Sequence, residues 1–341
     1  MRTIYFLILL FCTSSMVSQN GTLIVLNKSD DTADLIDLKT KQSVATIPTG
    51  NGPHEVAVSF DGTLAVVTNY GRGEGWPGSS LTIIDIANKK AIKTVQLDYK
   101  APHGLEFITE DQLLVTCEAS KKLIQVNIET GLVEKAIDTD QETSHMVVYA
   151  PISNKAFVAN IRSGSVSVID LNTDQLEKII NTGEGAEGVA LTADGTSVWI
   201  TNRAEDTVNV LDVKTLETLE EFTSEKFPIR VKTTSDGKYG LISNAQSGDV
   251  KVFDAKSKKL IKTISMNVTA LEKEASRLFQ DFDDSPVPVG ILIHPNNTFA
   301  FVANTNADII TIIDLETLEI SGRLTAGKEP DGLGFSPLIL N

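Results

Sequence analysis

The sequence predicts an all-β fold, a seven-bladed β-propeller built from four-stranded blades. Three observations carry this. An apolar run closed by Asp, and once by Asn, recurs at positions 37, 85, 127, 170, 212, 254 and 314, so one unit of about 42 residues has been copied down the chain. Each copy breaks into short segments rich in Val, Ile and Thr, bounded by turn residues, the pattern of strands and not of helices. The ends complement each other: residues 22–49 offer only the last three strands of a unit and residues 332–336 a lone first strand. The N-terminal strands are therefore expected to pair with the C-terminal strand and close the ring, which removes its exposed edges.

The elements follow in order within one copy. From residue 188, GVALT reads as a first strand, ADGT as a tight turn, SVWITN as a second strand, DTVNVLDV as a third, KTLE as a turn and TLEEFT as a fourth. Asp61-Gly62, Asp194-Gly195 and Asp236-Gly237 hold the first hairpin, with Asn296-Asn297 in their place once. These residues tolerate the positive φ that tight hairpins need. Asn ends the second strand at 27, 69, 160, 202, 244 and 304, with Cys117 standing in the series. Such Asn residues are expected to cap turns through local hydrogen bonds.

Residues 1–18 differ from the rest. Arg2 gives a positive start, residues 4–12 an apolar run, and Thr13, Ser14, Ser15 and Ser18 small residues suited to cleavage between about residues 15 and 19. This is the layout of a secretory signal peptide, so the protein is expected to be exported, periplasmic or extracellular, with no transmembrane segment in the mature chain. Residues 20–341 are expected to form one propeller domain with insertions at 71–80 and 266–288. Cleavage would also remove Cys12, leaving Cys117 as the single cysteine and no disulfide.

With 45 acidic against 30 basic residues the formal net charge is -15. Phosphate recognition draws on clusters of Lys and Arg, and the chain has no such run; nucleic acid is not an expected partner.

The copies VTNYG, VANIRSGSVSVIDLNT, ITNRAEDTVNVLDVKT and VANTNADIITIIDLET resemble the YVTN-type β-propeller repeats, as in exported YncE-like seven-bladed propellers. The resemblance covers nearly all of the mature chain and implies the propeller fold. It implies no single activity, because such propellers include adhesion modules, periplasmic proteins and relatives of lactonase-type propellers, and a shared fold does not name a function.

The candidate site comes from where the copies disagree. The first strand of each blade should line the central channel, and its opening residue is His54, His103, His145, Glu187, Ile229, Val289 and Asp331 in turn. Three of the four histidines thus occupy one repeat position, and Glu187 and Asp331 extend them into a polar arc at one mouth of the channel. Imidazole nitrogen and carboxylate oxygen suit Zn²⁺ or a similar divalent ion, which makes His54, His103, His145 and Glu187 candidate metal ligands. With Asp331, Arg72, Trp76 and Arg230 they are candidate ligand-binding residues. Arg72, Arg162, Arg203 and Arg230 are expected near the rim, in solvated salt bridges with Glu118, Glu205 and other neighbours, and Glu55 and Glu106 on or beside the channel strands. The insertions belong to loops on the same face, the usual home of binding, and within 266–288 the stretch ALEKEASRLFQ has apolar residues at helical spacing.

Two functions follow. One is a monomeric exported propeller, a binding or scaffold protein holding a small molecule, a metal or a protein partner on its loop face. The alternative is a metal-dependent, lactonase-like hydrolase in which the arc activates water. His294, at the far end of a channel strand, is expected to be a hydrogen-bonded turn residue, and Cys117 a buried structural thiol.

Overall fold

The computed structural model describes residues 20–72, 75–268, 282 and 284–340. The proposed leader and most of the 266–288 insertion, including its helical stretch, lie outside these residues. Seven four-stranded antiparallel sheets are present. Six use consecutive strands, as in the blade Ala186–Leu191, Ser197–Asn202, Thr207–Asp212 and Thr218–Thr223. In the seventh, Pro330–Ser336 pairs with Thr22–Asn27, followed by Thr32–Asp37 and Gln42–Pro48. The ring closes as the complementary ends require. Among the described residues no helix is long and apolar enough to cross a membrane.

Alternation and turn chemistry account for the blades. Second and third strands are buried on both faces, between neighbouring sheets, so they read as continuous apolar runs, whereas fourth strands face solvent and alternate. The core consists of layers between sheets: Leu23, Val25 and Ile36 of the composite blade pack on Phe301, Ile310 and Ile312 of the blade before it. No blade could bury these faces alone. At the hairpins, Asp61 Oδ1 accepts hydrogen bonds from Ser59 Oγ and Thr63 N–H, at 2.7 and 2.9 Å, beside Gly62 at φ 75°. The Asn series does more than cap its own turn: Asn202 Nδ2 donates locally to Thr207 Oγ1 at 3.0 Å, but Asn69 Oδ1 accepts Gly50 N–H at 3.0 Å from the loop that enters the blade.

The first strands Pro53–Val58, Pro102–Phe107, Ser144–Ala150, Ala186–Leu191, Pro228–Thr233, Pro288–Ile293 and Pro330–Ser336 pack against one another around the axis. Five begin with Pro, which is tolerated at a strand's first residue. The position after the mouth residue is where neighbouring first strands approach most closely, and it is glycine in four blades: Gly104, Gly188, Gly290 and Gly332. A Cβ on Gly290 would stand 2.0 Å from Asp331 O, and one on Gly332 2.3 Å from His54 O. The remaining blades carry Glu55, Met146 and Arg230 there; all three line the channel cavity, and Met146 also joins the core between blades.

Candidate channel-mouth site

Hydroxyls fix the mouth strands from behind. Thr68 Oγ1 donates to His103 O at 2.9 Å, Ser243 Oγ to Val289 O at 2.7 Å, and Thr305 Oγ1 to Pro330 O at 2.8 Å. Each first strand also carries a register shift against its second strand at the mouth, between Pro102 and Leu105 and between Pro228 and Arg230, for example. Such bulges re-aim side chains out of strict alternation.

The arc assembles, and it is buried. The His54 and His103 ring centroids are 5.1 Å apart, those of His103 and His145 3.6 Å. His145 Nδ1 pairs with Glu118 Oε1. Its Nε2 lies 3.2 Å from Glu187 Oε1, an ionic contact without hydrogen-bond alignment. Glu187 takes Arg203 on Oε2 at 2.6 Å and Arg230 on Oε1 at 3.1 Å. Arg230 then reaches across the channel to Glu55 Oε1 at 2.7 Å. Asp331 pairs with Lys28 at 3.1 Å. Lys28, His145, Arg203 and Arg230 thus face Glu55, Glu118, Glu187 and Asp331, a balanced set, which is how buried charge is made tolerable.

The titration directions follow from this packing. Burial, helped by the charge of Lys28, lowers His54 to about 4. His103 is held well below the usual imidazole range by burial and by His145. Burial also acts to lower His145, but the Glu118 and Glu187 carboxylates outweigh it and raise the group. For Glu187 burial is again opposed, by Arg203, His145 and Arg230, and the carboxyl is driven far down. Burial and Lys28 act oppositely on Asp331 in the same way, with a net lowering.

Several expectations are corrected in position. Arg230 is not at the rim but 4% exposed in the channel, because the bulge after Pro228 turns it inward. Arg203 folds onto Glu187, and Arg72 alone of the pairs described here stays on the exposed rim, bound to Asp31. Trp76 is 79% exposed and stands apart from the arc. Glu118 bonds His145 and Tyr70 (Tyr70 O–H to Oε2, 2.7 Å) in place of the rim arginine expected as its partner. Its donor atoms, with those of His103 and His145, lie within 4.8 Å of one another. Glu187 has both oxygens engaged by arginines, and His54 is outside this trio.

The residues that the arc alone does not reveal share one rule. Lys28, Tyr70, Glu118 and Arg203 each directly follow the Asn-series position, at 27, 69, 117 and 202. Each faces a mouth residue: Asp331, His54, His145 and Glu187 respectively. In the blade that starts at Pro228 the same position is Ala245, packed with Ile229 and Val289 on the apolar side of the ring. His294 is the turn residue expected, its Nδ1 2.6 Å from Asn296 Oδ1. Cys117 is buried, and burial pushes its thiol far above the usual range.

Fold and mouth define a closed seven-bladed propeller whose channel is plugged at one end by paired charges. A YNCE-like beta-propeller family model matches residues 108–273. Over that stretch the chain is similar to the YncE-like β-propellers. The uncharacterized protein YncE of Salmonella typhi is 26% identical over 134 residues, 38% of this chain and 37% of that relative's length. Among solved structures, a functionally unknown protein from Desulfotomaculum acetoxidans superposes with TM-score 0.73 at 12% identity, covering 93% of this chain and 99% of that one. Hydrazine synthase of Kuenenia stuttgartiensis gives 0.70 at 17%, over 84% and 90%. Dihydro-heme d1 dehydrogenase NirN gives 0.63 at 16%, over 89% and 63%. At these identities the likeness is one of fold.

Proposed function

We propose that this chain is an exported binding propeller that takes up a divalent transition-metal ion at the channel mouth through His103, Glu118 and His145. The observation that supports it is the close spacing of the trio, one donor atom from each of His103, Glu118 and His145 within 4.8 Å of the others, together with a buried His103 Nδ1 that has no hydrogen-bond partner. An orphaned buried polar atom costs stability unless something uses it. Imidazole and carboxylate donors suit Zn²⁺ and its neighbours better than Ca²⁺ or Mg²⁺. The partly buried His54 and Tyr70 rings pack beside His103. Export rests on the leader pattern of residues 1–18.

A hydrolase would need a free general base beside the ion. In this reading Glu118 is itself a ligand of the ion, and the other nearby carboxylate, Glu187, is held by Arg203 and Arg230, so binding is the better-supported function. Calorimetric titration of the metal-stripped protein with Zn²⁺ tests it. One ion per chain is expected, lost in His103→Ala and Glu118→Gln. Equal uptake by wild type and His103→Ala, or no uptake by either, would sink the proposal.

A further inference from the structure

The channel continues below the mouth. Beneath Arg230 lies a cavity of about 350 Å³, in the lower range of small-ligand sites. Val56, Leu105, Val189, Ile291 and Leu333 give it apolar walls. Its roof is the bridge in which Arg230 holds Glu55 on one side and Glu187 on the other, so these three charges are spent on one another.

Two charged groups on the wall are not spent. Glu106 and Lys232 occupy the same repeat position, three residues after the mouth residue, where the other blades have Ala57, Val148, Ala190, Leu292 and Gly334. Both line the cavity. Among the described residues neither forms an ion pair. Glu106 Oε2 accepts Tyr149 N–H at 2.8 Å, and that is its hydrogen bond to protein. Lys232 is exposed at the opening on the face opposite the mouth. A carboxylate set among apolar side chains with one donor is under-solvated, and burial accordingly raises Glu106 to about 7 even though Lys232 acts to lower it. Apolar walls carrying one uncommitted group of each sign are complementary to a molecule of the same design.

We infer that the lower channel binds a small zwitterion, an ammonium and a carboxylate joined by an apolar carbon chain, with the ammonium on Glu106 and the carboxylate on Lys232. The site is separate from the mouth and does not depend on a metal there. Its two uncommitted charged contacts open on one cavity, and Val56, Leu105, Val189, Ile291 and Leu333 supply the apolar share of the lining.

Three six-carbon probes separate the terms: 6-aminohexanoate carries both charges, hexylamine the ammonium only, and hexanoate the carboxylate only. Calorimetry is expected to show 6-aminohexanoate binding at least roughly tenfold more tightly than either half-probe, since each charge-assisted hydrogen bond contributes about that factor or more. Glu106→Gln, which keeps the volume, should weaken 6-aminohexanoate and hexylamine alike. Lys232→Met should weaken 6-aminohexanoate and hexanoate and leave hexylamine unchanged. Zn²⁺ uptake at the mouth should not change in either variant, which also reports that they are folded. The inference is overturned if 6-aminohexanoate fails to bind at millimolar concentration, if a half-probe matches it, or if folded Glu106→Gln binds it as wild type does.

Discussion

Replacing Glu106 by Gln should make the protein more stable, and by an amount that grows with pH. Burial raises the folded-state carboxyl from 4.5 to about 7, against the single Tyr149 N–H bond and the more distant charge of Lys232. A group raised on folding contributes stability that is complete below its unfolded value and is lost as pH rises through its folded value. Here the loss runs from about 4.5 to about 7. At roughly 1.36 kcal/mol per unit, the full cost of holding Glu106 ionised in the fold is about 3 kcal/mol. Partial exposure to cavity water reduces this to about 2 kcal/mol. Gln has the same shape and no proton to lose, so the difference between variant and wild type isolates this one group from every other titration. Urea unfolding at about pH 5 and about pH 8.5 measures it: part of the loss has already occurred at about pH 5, so the variant's advantage should widen by about 1.5 kcal/mol between the two, with equal m-values. A difference that stays flat with pH would refute the argument, because it would mean that Glu106 titrates as a solvated carboxyl.

The buried ion network yields a second expectation. Glu187→Gln leaves Arg203 and Arg230 facing each other without their shared carboxylate and should cost about 3–5 kcal/mol in urea unfolding; a loss under about 1 kcal/mol would show that solvent reaches the pair. Gly290→Ala places a methyl 2.0 Å from Asp331 O and should cost about 2 kcal/mol or more, whereas Gly75→Ala meets nothing within 4 Å and should change stability by less than about 0.5 kcal/mol in the same assay. Cys117, buried and with its thiol raised, should resist an aromatic disulfide reagent in native buffer and react fully in denaturant; rapid native labelling would contradict its placement.

The blades were legible because their signals are local. Alternation, Asp-Gly corners and strand-ending Asn each act over a few residues, and copying repeats them seven times. The positions of His54, His103, His145, Glu187 and Asp331 were legible for the same reason, as one column of the repeat. What that column does not show is how the side chains turn. The bulge at each mouth breaks the two-residue alternation, so Arg230 goes inward to Glu187 and Glu55, partners 43 and 175 residues away. Glu118 escaped for another reason. It lies on the short 3-10 turn Glu118–Ser120, behind a Cys in the Asn series, and its bond to His145 is made between blades. A second column of the repeat, the residue after each second strand, holds that information, and it has meaning only once the ring's curvature brings the two columns together.

The strand pairing that shuts the ring also sets the order in which the molecule can become whole. Thr22–Asn27 and Pro330–Ser336 are joined across some three hundred positions of chain, and the contact between Lys28 and Asp331 spans the same interval. Six blades can nucleate from contacts near in sequence, but this one must wait for the most distant segment to arrive, the slowest kind of contact to make. Asp331 joins the mouth only at that step. His54, His103 and His145 stand on blades built from consecutive strands, whereas Asp331, and with it the full balance of charge at the mouth, depends on the one pairing that joins distant segments of the chain.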